Sequence, residues 1–158
     1  MARYAGSDRL HRSPIHLLHR AGQCADDIFH AEMKDDDVTP RQLAVLLTVA
    51  NNEGLSQTGI VDRTGIDRST LADVVRRLQK KGLLQRQRTK EYARVYAVKL
   101  TDQGRRLLRT AQPIATRVDE RILDALPAKQ RQQFIAVLQS IVTILQSTSP
   151  EDRSQIVT

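Results

Sequence analysis

The 158-residue chain contains no tryptophan, three tyrosines, two phenylalanines and a single cysteine. With so few rings, a platform on which unpaired bases stack has little to be built from, and duplex is favoured over single-stranded nucleic acid as a polyanionic ligand. The lone Cys24 makes no intramolecular disulfide, which agrees with a reducing compartment. No apolar run reaches the ~18 residues that span a bilayer, and the first residues, MARYAGSDRLHRS, are too polar for a secretory signal. A cytoplasmic protein with no membrane partner is expected. Catalytic signatures are missing as well. There is no glycine-rich phosphate loop, no nucleophile with a plausible base and no pair of carboxylates facing a pocket, so neither an enzyme nor a cofactor is expected. This length suits one domain, or one compact lobe with extensions used in assembly.

What the chain does have is charge, unevenly placed. From Asp62 to Arg109 there are fourteen Lys and Arg against five Asp and Glu, while the remainder carries eleven against thirteen. A positive excess confined to one stretch is the electrostatic footprint of a polyanion-binding face, of which nucleic acid is the commonest ligand. The plain alternative is a solvated charged surface.

Periodicity divides the chain into helices around one hairpin. Ile15, Leu18, Ala21, Ala25, Ile28 and Phe29 recur at helical spacing from about Pro14 to Met33, where the acidic run 35–37 ends the pattern. Thr39, Pro40 and Gln42 form a helix start, with a hydroxyl N-cap, proline at the first helical position and an amide that completes a capping box. The second helix runs to about Ala50 with Leu43, Leu46, Leu47 and Ala50 as its predicted buried stripe. Ser56 caps a short third helix to Thr64, in which Gly59 costs up to about 1 kcal/mol relative to alanine. Gly65 ends it, and Asp67 caps the fourth helix, with Ile66 and Leu71 placed as a hydrophobic staple. Two short helices joined by a tight glycine turn make a helix-turn-helix.

The fourth helix is divided between two faces. Leu71, Val74, Val75 and Leu78 share one side, and Ser69, Asp73, Arg76 and Lys80 the other, flanked by Thr70 and Arg77. After Gly82, two β-compatible runs, Leu83–Arg88 and Arg94–Leu100, form a basic hairpin in which Tyr96, Val98 and Leu100 alternate. Thr101 caps a fifth helix to about Leu126, with a kink expected at Pro113. Pro127 resets the chain for a last helix carrying Phe134, Val137, Leu138, Ile141 and Leu145 on one stripe, widened by Ile135, Val142 and Ile144. A terminal helix apolar over so much of its circumference needs cover, and a second copy of the chain is the expected source.

This order of parts resembles the multiple antibiotic resistance regulator (MarR) family. The specific pieces are TPRQLAVLLTV (Thr39 to Val49), TGIDRSTLADVVRRLQKKGLLQR (Thr64 to Arg86) and ARVYAVKLTDQG (Ala93 to Gly104). The resemblance implies a mainly α fold, a winged helix-turn-helix with a two-stranded β-wing and N- and C-terminal dimerisation helices. It implies a single domain over 1–158, with the DNA-binding lobe at 39–100 and dimerisation helices at 14–34 and 101–146. The implied activity is that of a homodimeric transcriptional regulator, usually a repressor, released from an inverted-repeat operator in double-stranded DNA by a small-molecule effector. On this reading Arg68, Ser69, Thr70, Asp73, Arg76, Arg77 and Lys80 face the major groove, and Arg86, Arg88, Lys90 and Arg94 grip the backbone from the wing. Arginine pairs bidentately with guanine, and Asp73 either accepts from cytosine or holds a neighbouring arginine in place. The family usually has Asp-x-Arg in the wing; here the positions are Tyr92, Ala93 and Arg94. Either Glu91 replaces the missing carboxylate or Tyr92 contacts the backbone itself.

The same resemblance implies an organic effector, commonly an aromatic acid and in some members its coenzyme A thioester, bound between helices one, two and five. His16, His19, Arg20, Gln23 and Arg41 are its polar candidates. A metal sensor built from His16 and His19 with His30 or His11 lacks a completing ligand, so scattered surface histidines and no metal are expected. Cys24 as a redox sensor has only Arg20 beside it, and a buried or inert thiol is expected. A winged helix used only for protein docking is the reading from another class; it would not need a basic recognition face.

Overall fold

The computed structural model describes residues 9–34, 38–88 and 96–147. The chain divides into two compact units, Met1–Val118 and Asp119–Thr158. Among the described residues the principal elements follow in the order α1 (Pro14–Glu32), α2 (Pro40–Asn51), α3 (Gln57–Thr64), α4 (Arg68–Lys80), β1 (Leu84–Arg88), β2 (Tyr96–Leu100), α5 (Asp102–Asp124) and α6 (Ala128–Ser147). Among the described residues, no helix is long and apolar enough to cross a membrane.

Each helix of the first unit starts where its cap demands. Ser13 accepts from the His16 amide with Pro14 following, and Thr39 and Gln42 exchange side chain-to-backbone bonds of 3.2 Å in both directions. Ser56 accepts from the Gly59 amide at 3.1 Å, and Asp67 from the Thr70 amide at 2.9 Å. These bonds satisfy amides that the first helical turn leaves without a partner. Between α3 and α4 the chain turns at Gly65, whose φ of 67° is left-handed. Gly59, which weakens α3 as a helix, sits close to the Leu55 side chain: a Cβ there would lie 2.8 Å from a terminal methyl of that leucine, which a rotation of the leucine can relieve.

The core sits where α2, α3, α4 and the hairpin meet. Val45, Leu46, Ile60, Leu71, Val75, Leu78 and Val98 are fully enclosed. The buried stripe of α2 is Leu43, Val45, Leu46 and Val49 together with Gln42, rather than the expected Leu43, Leu46, Leu47 and Ala50. Leu47 is half-buried and Ala50 exposed. Neighbours surround α2 on more than one side, so the enclosed face is set by where α4 and β2 lie and not by periodicity alone. In α1 the departure is larger, since only Phe29 is buried while Ile15, Leu17 and Leu18 stand open, Ile15 at 69 %.

The hairpin pairs antiparallel, with Leu84 opposite Leu100 and Arg88 opposite Tyr96. Its second strand gains another partner in the segment before α3: Ser56 bridges Ala97, and the Val98 amide donates to the Leu55 carbonyl at 2.8 Å. Tyr96 is therefore exposed, and Ala97 joins Val98 and Leu100 in the interior. Thr101 locks the hairpin to the helices on either side. Its hydroxyl donates to the Gly82 carbonyl at 2.6 Å and accepts from the Gly104 amide at 3.0 Å. Gly104 is required by close approach, because a Cβ there would fall 2.2 Å from the Leu83 carbonyl oxygen.

Helix α5 continues through Pro113 and ends at Asp124. In the second unit Arg131 binds the Leu126 carbonyl at 3.2 Å and Asp124 at 3.0 Å, which fixes the start of α6. No α6 residue is buried, and Val137, Val142, Ile144 and Leu145 are each about half exposed or more.

Candidate nucleic-acid interface

The buried stripe of α4 determines what its other side presents. With Leu71, Val74, Val75 and Leu78 held in the core, Arg68, Ser69, Arg76, Arg77 and Lys80 are exposed and Thr70 and Asp73 half-buried between them. The expected seven residues of this helix thus occupy one continuous face.

Hydrogen bonds organise that face. Asp73 accepts from Arg76, and its second oxygen accepts from Arg77 Nε at 2.7 Å. Both arginines remain open to solvent, at 77 % and 65 % exposure. The Arg76 hydrogen bond, followed by the charge of Arg77, holds the Asp73 carboxyl below the usual carboxylate range. At the N-terminal end, Asp67 caps the helix and also accepts from the Ser69 hydroxyl at 3.0 Å. Bonds from Thr70 and then Ser69 lower the Asp67 carboxyl to about 2. Ser69 therefore has its proton committed and its oxygen free to accept.

On the wing, two of the four expected cations are positioned by neighbours. Arg86 donates to the Gln57 side chain at 2.6 Å, which links β1 to the start of α3. Arg88 donates to the Tyr96 hydroxyl at 3.3 Å and lies 5.8 Å from the centre of that ring. Lys90 and Arg94, with Glu91 and Tyr92, lie outside the described residues. Gln57 and Tyr96 are positioning groups that the sequence reading missed. Tyr96 opposite Arg88 was accessible from the hairpin register, whereas Gln57 is 29 residues from Arg86 and carries no local signal.

The α1 candidates are not gathered in one cavity with Arg41. His19 and Gln23 line a shallow groove with Ile15, Leu18, Gly22 and Asp26, while Arg20 and Gln23 line its neighbour with Cys24, Asp26 and Asp27. Both grooves are made by α1 alone. His16 is half-buried, and Arg41 is exposed on α2. His30 Nδ1 lies 2.7 Å from the Asp26 carbonyl oxygen, and among the described residues no group of three His, Cys, Asp or Glu is arranged to hold a metal. Of the two alternatives expected of Cys24, a buried or an inert thiol, burial is excluded, because Cys24 is exposed on a face of α1 that no other described element covers.

Comparison with known proteins places this geometry. A family model described as MarR family matches residues 36–94, the stretch that contains α2, α3, α4 and β1. The PcaV transcriptional regulator of Streptomyces coelicolor, solved with its natural ligand, is 31 % identical, with 85 % of this chain and 94 % of that one covered at a TM-score of 0.79. BpsR of Bordetella bronchiseptica, whose DNA binding is regulated by 6-hydroxynicotinic acid, is 28 % identical over 82 % of this chain and 93 % of that one, with a TM-score of 0.77. The transcriptional repressor CouR, solved on a 23-mer DNA duplex, is 30 % identical over 84 % and 94 %, with a TM-score of 0.76. The order of capped helices, the basic α4 face and these likenesses agree, and the chain belongs to the MarR family of DNA-binding transcriptional regulators.

Proposed function

We propose that this chain is a homodimeric repressor that binds an inverted-repeat operator and is released from it by a small aromatic acid or its thioester. The observation that carries the DNA half is the α4 face, where two exposed arginines are held side by side by one half-buried carboxylate. Two guanidinium groups at fixed separation suit bidentate reading of guanine in the major groove. In this reading Arg68, Ser69, Thr70, Asp73, Arg76, Arg77 and Lys80 serve the groove, and Arg86, Arg88, Lys90 and Arg94 serve the phosphates. CouR on its duplex supports this half.

The dimer half is supported by apolar side chains left open on two helices, Ile15, Leu17 and Leu18 of α1 and Val137, Val142, Ile144 and Leu145 of α6. Exposed apolar surface of this kind favours association. Two copies would present two α4 helices one helical turn of DNA apart, roughly 34 Å. The effector half rests on relatives, BpsR with 6-hydroxynicotinic acid and PcaV with its ligand. A ligand releases DNA only to the extent that it prefers the form unable to bind DNA. Selection of bound duplexes from a random pool tests the reading directly. An enriched inverted repeat, bound by a dimer and lost on adding an aromatic acid or thioester, is the expected result; an unrepeated half-site bound by a monomer would overturn it.

A further inference from the structure

The polar residues on the open face of α4 do not all offer DNA the same chemistry. Arg76 and Arg77, restrained by Asp73, are donors with no accepting atom. Ser69, exposed in the first turn, is the opposite case, and Asp67 makes it so. A serine hydroxyl free in solution both donates and accepts, and so separates base edges poorly. Here its one proton is directed onto Asp67 Oδ1 at 3.0 Å, the atom that also receives the Thr70 amide at 2.9 Å.

Two features keep that proton where it is. Bonds from the side chain and backbone of Thr70, and then from Ser69, hold the Asp67 carboxyl at about 2, so at neutral pH it is ionised and can only accept. The carboxylate cannot turn away without giving up the N-cap of α4, which ties the Ser69 bond to the start of the helix. The Ser69 oxygen keeps its lone pairs, and among the described residues no donor reaches them. The early residues of a recognition helix are those that approach base edges in the major groove. There adenine N6 and guanine O6 occupy equivalent places, as do cytosine N4 and thymine O4. An oxygen that only accepts separates the amino member of each pair from the oxo member.

We propose that Ser69 is a specificity-determining residue that reads an exocyclic amino group, adenine N6 or cytosine N4, because Asp67 fixes its hydroxyl as an acceptor. The proposal rests on the reading that α4 enters the major groove, and adds to it the polarity of one contact. A guanine or thymine at that place sets an oxo oxygen against the serine oxygen with no proton between them. Two helical turns, roughly 10 Å or about three base-pair steps, separate Ser69 from the Arg76–Arg77 pair. The amino-reading and guanine-reading positions are therefore distinct within one half-site.

Selection of bound duplexes from a random pool by the full chain, by Ser69→Ala and by Asp67→Gly tests the polarity. The parent chain is expected to prefer adenine over guanine, or cytosine over thymine, by about threefold to tenfold at one position of the half-site, the worth of one hydrogen bond. Ser69→Ala levels that preference and leaves those at other positions intact, which also shows that the variant is folded. Asp67→Gly retains most of the worth of the cap and frees the hydroxyl to donate, so guanine or thymine becomes accepted at that same position alone. Loss of the acid's charge strengthens binding to all sequences alike and leaves relative preferences unmoved. Duplexes with purine in place of adenine, or 2-pyrimidinone in place of cytosine, at that position identify the amino group: the parent chain weakens on one of them by the same factor relative to Ser69→Ala. The proposal is overturned if Ser69→Ala leaves every preference unchanged, if the position it levels favours guanine or thymine, or if Asp67→Gly keeps the amino preference in full. Any of these with an inverted repeat still enriched leaves the major-groove reading standing, whereas a pool with no enriched sequence removes both.

Discussion

Asp73 and Arg77 stand one turn apart on α4 and are joined by a 2.7 Å bond, while the other oxygen of the same carboxylate binds Arg76. One acid therefore restrains both arginines of the recognition face. In the proposed reading it competes with DNA for them in the free protein, and on DNA it limits the directions in which they reach.

Asp73→Asn is expected to raise affinity for random duplex and steepen its salt dependence by about one phosphate contact, because the arginines gain freedom to follow the backbone. Discrimination between the selected operator and random duplex should narrow, while Arg77→Ala should cost about 1–3 kcal/mol on the operator if its target is a base. Salt-dependent titrations of both duplexes check this. Unchanged discrimination in Asp73→Asn would show that the clamp has no part in specificity.

The bond from Arg86 to Gln57 makes a second prediction. If it positions the wing cation, Gln57→Ala and Arg86→Ala should be non-additive in duplex affinity, with a coupling of about 0.5–1.5 kcal/mol in the double-mutant cycle. Two losses that simply add would mean that the guanidinium reaches phosphate without help from α3.

Gly104→Ala places a methyl group into the Leu83 carbonyl oxygen, and backbone cannot move aside cheaply. Urea unfolding should show a loss of about 1–3 kcal/mol, the cost of overpacking, with little change in slope. A stability equal to that of the parent chain would require the β1–α5 junction to be looser than the Thr101 bonds imply.

Acid should weaken the α4 cap. The Asp67 carboxyl, about 2 when folded against an ordinary 3.8, is depressed by bonds that exist only in the folded state. A depressed folded value means that the stabilisation is complete above about pH 4 and is lost as pH falls towards about 2. Asp67→Asn keeps a side-chain oxygen for the cap without the charge, so helix loss followed by circular dichroism should depend less on pH over that window. An identical acid transition in both proteins would place the sensitive carboxylates elsewhere.

The sequence by itself determined the elements and their ends, because caps and glycine turns are local: Thr39 with Gln42, Ser56, Gly65 and Asp67 need only a few neighbouring residues to act. It also determined the polarity of α4, since that helix rests on the core by one side only and its 3.6-residue period sorts the arginines outward. Helix α2 is surrounded, and there the tertiary structure decided that Val45 and Val49 are enclosed while Ala50 is not. Only the tertiary structure brought Gln57 to Arg86, Thr101 to Gly82, and Lys99 to the same cavity as Arg105 and Arg109. These partners lie on different elements, and no periodicity along one segment encodes how two segments meet. The cationic excess was written in composition; which cations stand on the open face of α4 and which line a cavity was decided by how α4, β2 and α5 pack.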